Sequence, residues 1–182
     1  MKKYLLPVLI LTILVQLFVP AYFVFEKYDT LKTGGEYKFE VSLYDPYDAF
    51  RGRYVSIQTA TQLNLYEKYN SSALFQGSKY GLISVGDDGF AFINSVTDAK
   101  PKTGDYVKSS KSNYFIMPVE RYYTDEDIAP QLEQFLLYNR KEVKPYIILR
   151  VKDGNAVIQG LYVDGMRIED YLLDNQGQDK TR

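Results

Sequence analysis

The chain has 182 residues, with 22 basic and 23 acidic side chains, and it contains neither histidine nor cysteine. Without these two residue types it cannot build a Ser-His-Asp triad, a cysteine nucleophile, a disulfide or a usual zinc site. Lys2 and Lys3 are the only charges before Glu26, so the rest of the chain carries 20 basic and 23 acidic residues, a net charge of −3. Such a balance offers no positive surface for nucleic acid, and we expect no nucleic-acid partner.

Sequence motifs for cofactors and metals are also absent. No P-loop, no G-x-G-x-x-G and no S-x-x-K occurs in the sequence. The acidic pairs and runs at 87–88 and 125–127 lack the alternating oxygen ligands and the distal Glu of a calcium loop. A turn and a helix start explain them better, so we expect no cofactor and no metal.

The N-terminus predicts a membrane anchor. Residues 5–25 are uncharged, and as a helix they would be roughly 31 Å long, about one hydrocarbon thickness. A cleaved signal peptide is the alternative, but the exit Val19-Pro20-Ala21-Tyr22 lacks the small-residue pattern of a cleavage site. We therefore expect residues 1–28 to be a single-pass anchor in the inner membrane. The lysine pair before the span favours a cytoplasmic N-terminus, with the remaining domain on the extracytoplasmic side.

Alternating apolar and polar residues predict most of the strands. One strand is expected over 36–43 and a second over 55–63, where every other residue is apolar or Thr. Two hairpins with Asp-Gly-containing turns follow, and their strands are 80–85 with 90–96 and 146–151 with 156–162.

One helix is predicted after Thr124, which we expect to cap it, with Pro130 near its start. Its apolar face would consist of Ile128, Leu132, Phe135 and Leu136. The sequence thus predicts an α+β fold, mainly antiparallel β, of the sandwich or barrel-like kind, with one or two helices. It would form one domain over 29–173, followed by a disordered polar tail over 174–182.

The two hairpins also suggest an internal duplication. A shift of 66 residues superposes Tyr80 on Tyr146 and Asp87 on Asp153. The halves would be about 36–107 and 114–172, related by a pseudo-twofold axis. The alternative is that any two hairpins share alternation and an Asp-Gly turn.

Residues 45–58 combine two acidic, two basic and several aromatic side chains around one glycine. Asp45-Pro46 followed by Phe50-Arg51-Gly52-x-Tyr54-Val55-x-Ile57 resembles the bacterial family named for the motif G-D-Y-x-x-L-x-Y. Gly52 and Tyr54 match the motif, whereas Arg53 replaces its Asp and Ile57 its Leu. Two later blocks look like the family as well: 120–123 with the acidic helix that carries Glu126 and Glu133, and 160–165.

The resemblance implies a membrane-anchored extracytoplasmic protein that works beside a multipass membrane protein or another envelope component. It implies no established activity and supplies no catalytic residues. The candidate binding residues are those of the motif stretch and of the second block, namely Asp45, Asp48, Arg51, Tyr54, Glu120, Tyr122 and Glu126.

These residues have both a structural and a functional interpretation. Structurally, Gly52 provides a turn into a strand, and Arg51 pairs with Asp45 or Asp48, which contributes only about 0–1 kcal/mol if exposed. Functionally, Arg51 could bind a carboxylate through two hydrogen bonds while tyrosines form a platform for a partner. We expect the structural interpretation to account for more of the group.

Two functions remain. The first is a non-catalytic binding or assembly module of the envelope, and the alternative is a carboxylate-based hydrolase acting on cell-wall glycan. Two carboxylates about 5–10 Å apart in a cleft would favour the hydrolase. An exposed, aromatic-rich patch near the membrane end would favour docking.

Overall fold

The computed structural model describes residues 5–43, 54–62, 64, 77, 79–112, 115–125, 127–138 and 143–179. One helix precedes six strands, a second helix precedes three more strands, and a third helix follows them; the strands pair in an antiparallel manner. The elements are α1 (Leu5–Thr33), β1 (Gly35–Leu43), β2 (Tyr54–Thr59), β3 (Tyr80–Val85), β4 (Ala91–Thr97), β5 (Tyr106–Lys108), β6 (Arg121–Tyr123), α2 (Ala129–Tyr138), β7 (Tyr146–Lys152), β8 (Asn155–Val163), β9 (Met166–Arg167) and α3 (Ile168–Asp179).

Two antiparallel sheets make up the domain. Six strands in the order β6-β2-β1-β7-β8-β9 form a half-barrel, and three strands in the order β4-β3-β5 form a smaller sheet. The predicted α+β class with a barrel-like antiparallel sheet is confirmed. Both hairpins are confirmed too, as β3–β4 and β7–β8.

Both sheets share one core with α2. Phe39 of β1 and Ile147 and Leu149 of β7 are fully buried at the centre of the six-stranded sheet. Ile93 of the smaller sheet and Leu132 of α2 belong to the same cluster of buried residues. Since all these elements bury their apolar faces against one another, the domain that follows α1 has a single continuous core.

The second predicted strand is shorter than its pattern. β2 ends at Thr59, and residues 60–62 are helical although the alternation continues to Leu63. The backbone N–H of Gln62 donates to Oγ1 of Thr59 at 3.3 Å. A threonine that accepts from the amide three residues later starts a helical turn, and this local bond overrides the period-two pattern.

The predicted helix begins later than its expected cap. α2 starts at Ala129 with Pro130 in its first turn, where a missing N–H costs little. The N–H groups of Ile128 and Ala129 donate to the carbonyl of Asp125, so a turn precedes the helix. The cap at Thr124 stays a prediction, because residue 126 lies outside the described residues. At the C-terminus α3 continues through Asp179, whereas a disordered tail was expected from residue 174.

The structure does not show the internal duplication. The β3–β4 and β7–β8 hairpins do share a register break, at Leu82/Ile83 and at Ile148/Leu149. However, the second neighbour of β3 is β5, and that of β7 is β1. The similar segments that follow the two hairpins, Asp105-Tyr106-Val107 and Asp170-Tyr171-Leu172, also differ, because the first runs into β5 and the second lies in α3.

Gly81 of β3 provides a stability prediction. A Cβ at this position would lie 2.4 Å from Cζ and 2.7 Å from Cε2 of Phe115, whose side chain is fully buried. Because that ring cannot move to solvent, we expect Gly81→Ala to lower the free energy of unfolding by about 1–2 kcal/mol. Urea denaturation would measure the loss. An unchanged midpoint would contradict the prediction, because it would mean that the Phe115 ring and β3 can move apart without loss of stability.

α1 is long and apolar enough to cross a membrane. The most apolar window of 18 residues within Leu6–Thr33 has a mean hydropathy of 2.5, and none of that window is buried by the rest of the protein. The helix has 29 residues, or about 43 Å, which exceeds a hydrocarbon core of about 30 Å. Its last two turns therefore lie beyond the apolar part.

These last turns of α1 dock on the β7–β8 hairpin. Thr30 is 2 % exposed, Nζ of Lys152 donates to Oδ2 of Asp29 at 2.6 Å, and Nδ2 of Asn155 donates to Oε1 of Glu26 at 2.8 Å. The helix then passes directly into β1 through Gly34, whose N–H donates to the carbonyl of Thr30. The helix is consequently joined to the domain by packing, and not only by chain connection.

Candidate functional site

An open groove separates the two ends of the half-barrel. It has a volume of about 560 Å³ and is lined by residues 118–123 before and within β6, by 156–158 of β8 and by Ser110. Among the described residues β9 pairs with β8 at Tyr162 and Val163 alone. One edge of β8 pairs with β7 along its length, and the middle of its other edge therefore faces the groove and not another described strand of this sheet.

Tyr122 connects the two sides of the half-barrel. Its side chain is 5 % exposed, and its hydroxyl donates to Oε1 of Glu169 in the first turn of α3 at 2.5 Å. Arg167 of β9 lies 3.6 Å from the other carboxylate oxygen of Glu169, which is an ion-pair distance and too long for a hydrogen bond. The N-terminal end of α3 also favours the negative charge of Glu169.

The electrostatics keep Tyr122 protonated. Burial, then the hydrogen bond to Glu169 and the charge of Glu169, raise the pKa of Tyr122 to about 12, although Arg167 and the backbone of Leu161 act in the opposite direction. The hydrogen bond with Tyr122 is also the main cause that raises the pKa of Arg167. A neutral phenol at physiological pH donates a hydrogen bond, and it is neither a base nor a nucleophile.

The outer side of β2 and β6 carries an exposed group of two tyrosines and one arginine. The rings of Tyr54 and Tyr123 are directly paired across the strands, with centroids 5.6 Å apart. The guanidinium of Arg121 lies 4.7 Å from the centroid of Tyr54, within cation–π distance. Tyr123 is 65 % exposed. We call these three residues the aromatic face.

The aromatic face lies at the end of the sheet away from α1. β1 begins at Gly35 directly after the helix, and its far end pairs with β2 through Leu43 and Ile57. Tyr54 lies three residues beyond that pair, so the path along the strands is about 36 Å long. An aromatic patch near the predicted membrane anchor was the expected sign of docking, and the structure places the aromatic face at the end of the sheet away from α1.

Three of the seven predicted binding residues are described. Tyr54 is partly exposed on the aromatic face, Glu120 is exposed at the rim of the groove, and Tyr122 is buried at its wall. The other predicted binding residues lie outside the described residues, and they are Asp45, Asp48, Arg51 and Glu126.

The sequence reasoning missed Arg121 and Tyr123 as site residues. The strand period alone could have found them, because Tyr122 points inward and its two neighbours must then point outward. It also missed Glu169 and Arg167, which are more than forty residues from Tyr122. No local pattern indicates such a contact.

The described part of the motif, Tyr54–Thr59 of β2, alternates between outward and buried positions. Tyr54 faces outward, while Ile57 and Thr59, at the positions of the Leu and of the second Tyr of the pattern, are 3 % and 1 % exposed. These inward positions pack against the core and make few contacts available to a partner. The outward position is the one that can contact other molecules.

Neither a cluster of metal ligands nor a carboxylate pair in the groove occurs in the described part of the chain. No group of three or more Asp and Glu side chains there could hold a metal ion. Among the described residues that line the groove, Glu120 is the single carboxylate. The described lining of the groove therefore shows no acid–base pair of the kind that glycoside hydrolysis needs.

Comparison with known proteins agrees with the motif. No curated protein and no solved structure matches the chain significantly. The family model described as GDYXXLXY protein matches residues 16–161. This match includes the apolar helix from residue 16 onward, the motif stretch and the block over 120–123, and it covers most of the chain. The protein therefore belongs to the GDYXXLXY family.

Proposed function

We propose that this protein is a non-catalytic binding or assembly module of the bacterial envelope, anchored in the inner membrane by α1. The uncharged stretch over 5–25 supports the anchor, and the lysines at positions 2 and 3 favour a cytoplasmic N-terminus. In this orientation the β-rich domain projects on the extracytoplasmic side. Its partner would be the extracytoplasmic part of a multipass membrane protein or another envelope protein.

The aromatic face is the observation on which the binding function depends. Tyrosine and arginine are enriched at the centres of protein interfaces, because they bury large areas and keep a polar group for hydrogen bonds. Tyr123 leaves 65 % of its surface in solvent although its core-facing neighbour Tyr122 is buried. The groove next to this face, with Glu120 at its rim, would accept side chains of the partner.

The hydrolase alternative receives less support from the site. The groove has one described carboxylate, Glu120, and the neighbouring Glu169 is engaged by the Tyr122 hydroxyl. Tyr122 itself is protonated near neutral pH, as any tyrosine with an ordinary pKa is, and its raised pKa of about 12 makes it a still poorer acid. Docking requires only the exposed side chains that the structure displays.

Photo-crosslinking in intact cells tests the docking proposal. A benzophenone amino acid replaces Tyr123 in one variant and Phe92 in a control variant, since Phe92 is another exposed aromatic residue, on β4. We expect a discrete adduct with one envelope protein from position 123 and none from position 92. Arg121→Ala in the first variant should reduce the adduct, because it removes the cation from the same face.

The opposite result would contradict the proposal. If position 123 gives no adduct, or gives the same adducts as position 92, the aromatic face is not a specific interface. If the adduct forms at full yield after Arg121→Ala, Arg121 does not take part in the proposed contact.

A further inference from the structure

The docking of α1 fixes where the β7–β8 turn lies. Glu26 is the first charged residue after the uncharged stretch, and it is bound to Asn155 at the start of β8. Lys152 at the end of β7 is bound to Asp29 and Thr33 of the same helix. The turn between Lys152 and Asn155 is therefore held within about 12 Å of the end of the uncharged stretch, a distance of eight helical residues.

This distance is somewhat larger than the polar layer on one side of a bilayer, which is about 5–8 Å thick. The headgroup regions add about 10–15 Å in total to a hydrocarbon core of about 30 Å. If α1 spans the membrane as proposed, the β7–β8 turn lies at or just outside the headgroups.

Lysines surround this turn. The side chain of Lys108 packs against Gly154, because a Cβ there would lie 2.9 Å from Cγ of Lys108 and 2.6 Å from Cε2 of Tyr106. Nζ of Lys100 lies 6.0 Å from the centroid of the Tyr106 ring. Lys100 and Lys108 are both exposed, so their ammonium groups can reach anions beside the turn.

The end of α1 adds further cationic and aromatic groups. Lys27 and Lys32 are exposed, and Nζ of Lys32 lies 5.6 Å from the centroid of the Tyr28 ring. Tyr28 is 56 % exposed, and tyrosine is enriched at membrane–water interfaces. The juxtamembrane lysines are Lys27, Lys32, Lys100 and Lys108.

The acidic residues near these lysines are mostly engaged within the protein. Glu26 accepts from Asn155 and Asp29 from Lys152. Asp105 accepts from the hydroxyl of Tyr37, and Asp98 pairs with Lys79. Asp153 is the exposed acid of the turn itself. This end of the domain thus presents ammonium groups, although the chain after the anchor has a net charge of −3.

We propose that the juxtamembrane lysines bind the anionic phospholipid headgroups of the membrane that α1 enters. This inference depends on the proposed anchor, since α1 is what holds the turn at the bilayer surface. Lysines within a Debye length of an anionic surface, about 10 Å at 0.1 M salt, are attracted to it. The contact would fix the tilt of the domain and hold the aromatic face away from the bilayer.

A matched pair of label sites tests the proposal in the full chain. The protein has no cysteine, so Asp153→Cys and Asp164→Cys each create one spin-label site. The two positions are at opposite ends of β8, both are exposed, and their φ angles are 52° and 50°. Each is followed by a glycine of positive φ, so the backbone strain of the two substitutions is the same.

The measurement uses nanodiscs of phosphatidylcholine, with or without phosphatidylglycerol. A lipid that carries a nickel chelate relaxes spin labels near the headgroups. We expect relaxation of the label at position 153 that increases with phosphatidylglycerol, and none at position 164. Lys100→Glu combined with Lys108→Glu, or 1 M salt, should abolish the increase, because both remove the attraction.

The outcomes separate this inference from the proposed anchor. If the chain does not co-purify with nanodiscs, the proposed anchor is wrong, and the proposed lipid contact is wrong as well because it depends on the anchor. If it co-purifies but the label at position 153 relaxes equally in both lipid mixtures, the anchor stands and lysine binding to anionic lipid is overturned. Equal relaxation at positions 153 and 164 would overturn the placement of the turn.

Discussion

Gly34→Ala is expected to lower the free energy of unfolding by about 1–3 kcal/mol and to loosen the attachment of α1 to the domain. A Cβ at Gly34 would lie 2.5 Å from the carbonyl oxygen of Thr30, and 3.0 Å from both the backbone N and the backbone O of Val151. Backbone atoms cannot move aside by changing a rotamer. The helix end and β7 must therefore separate.

The neighbouring glycine provides the control. A Cβ at Gly35 would approach only the ring of Tyr37, at 3.1 Å or more, and this half-buried side chain can rotate. Urea denaturation in detergent, followed by near-UV circular dichroism of the tyrosines, would compare Gly34→Ala with Gly35→Ala. Equal midpoints for the two variants would contradict the close approach at Gly34.

Tyr122→Phe is expected to destabilise the protein by about 1–3 kcal/mol, because the change removes the hydrogen-bond donor of the partly buried Glu169. The matched control is Tyr123→Phe, which makes the same change one residue later on the same strand. Tyr123 is exposed, so water replaces its hydrogen bonds and we expect little effect. Equal losses in the two variants would argue against the Tyr122–Glu169 bond.

The same variant should change the alkaline stability of the protein. The ordinary pKa of tyrosine is 10.0, and the folded protein raises the pKa of both Tyr122 and Tyr37 to about 12. The unfolded state therefore loses these protons first, so the stability present below pH 10 is lost as the pH rises from 10 to 12.

Denaturation series across this pH range would measure the effect. Between pH 10 and 12 the unfolding free energy of Tyr122→Phe should fall less steeply with pH than that of the wild type. The double variant Tyr37→Phe with Tyr122→Phe should show a still shallower fall. If the wild type and the double variant have the same slope, the two hydroxyls do not have raised pKa values.

The sequence predicted the elements whose signals are local. The β3–β4 and β7–β8 hairpins follow from alternation around short turns, and Asp153-Gly154 takes the positive φ values that its residue types favour. The uncharged stretch predicted the helix α1. β2 shows the limit of such patterns, because one hydrogen bond at Thr59 ended the strand while the alternation continued.

The candidate site was only partly predictable. Tyr54 and Glu120 were named from the motif and the second block, and the structure places Tyr54 on the aromatic face and Glu120 at the rim of the groove. The pairing of Tyr54 with Tyr123 depends on a register between strands that are separated by more than sixty residues. Nothing within either segment specifies that register.

The sequence by itself determined the apolar helix, the antiparallel character of the domain, the family membership and the absence of histidine and cysteine chemistry. These properties depend on composition and on residues that are close in the chain. The tertiary structure alone decided that α1 docks on the β7–β8 hairpin, that Tyr122 reaches Glu169, and that lysines of three separate segments surround one turn. Such contacts result from burial of the shared core, which brings distant segments together without leaving a local pattern in any of them.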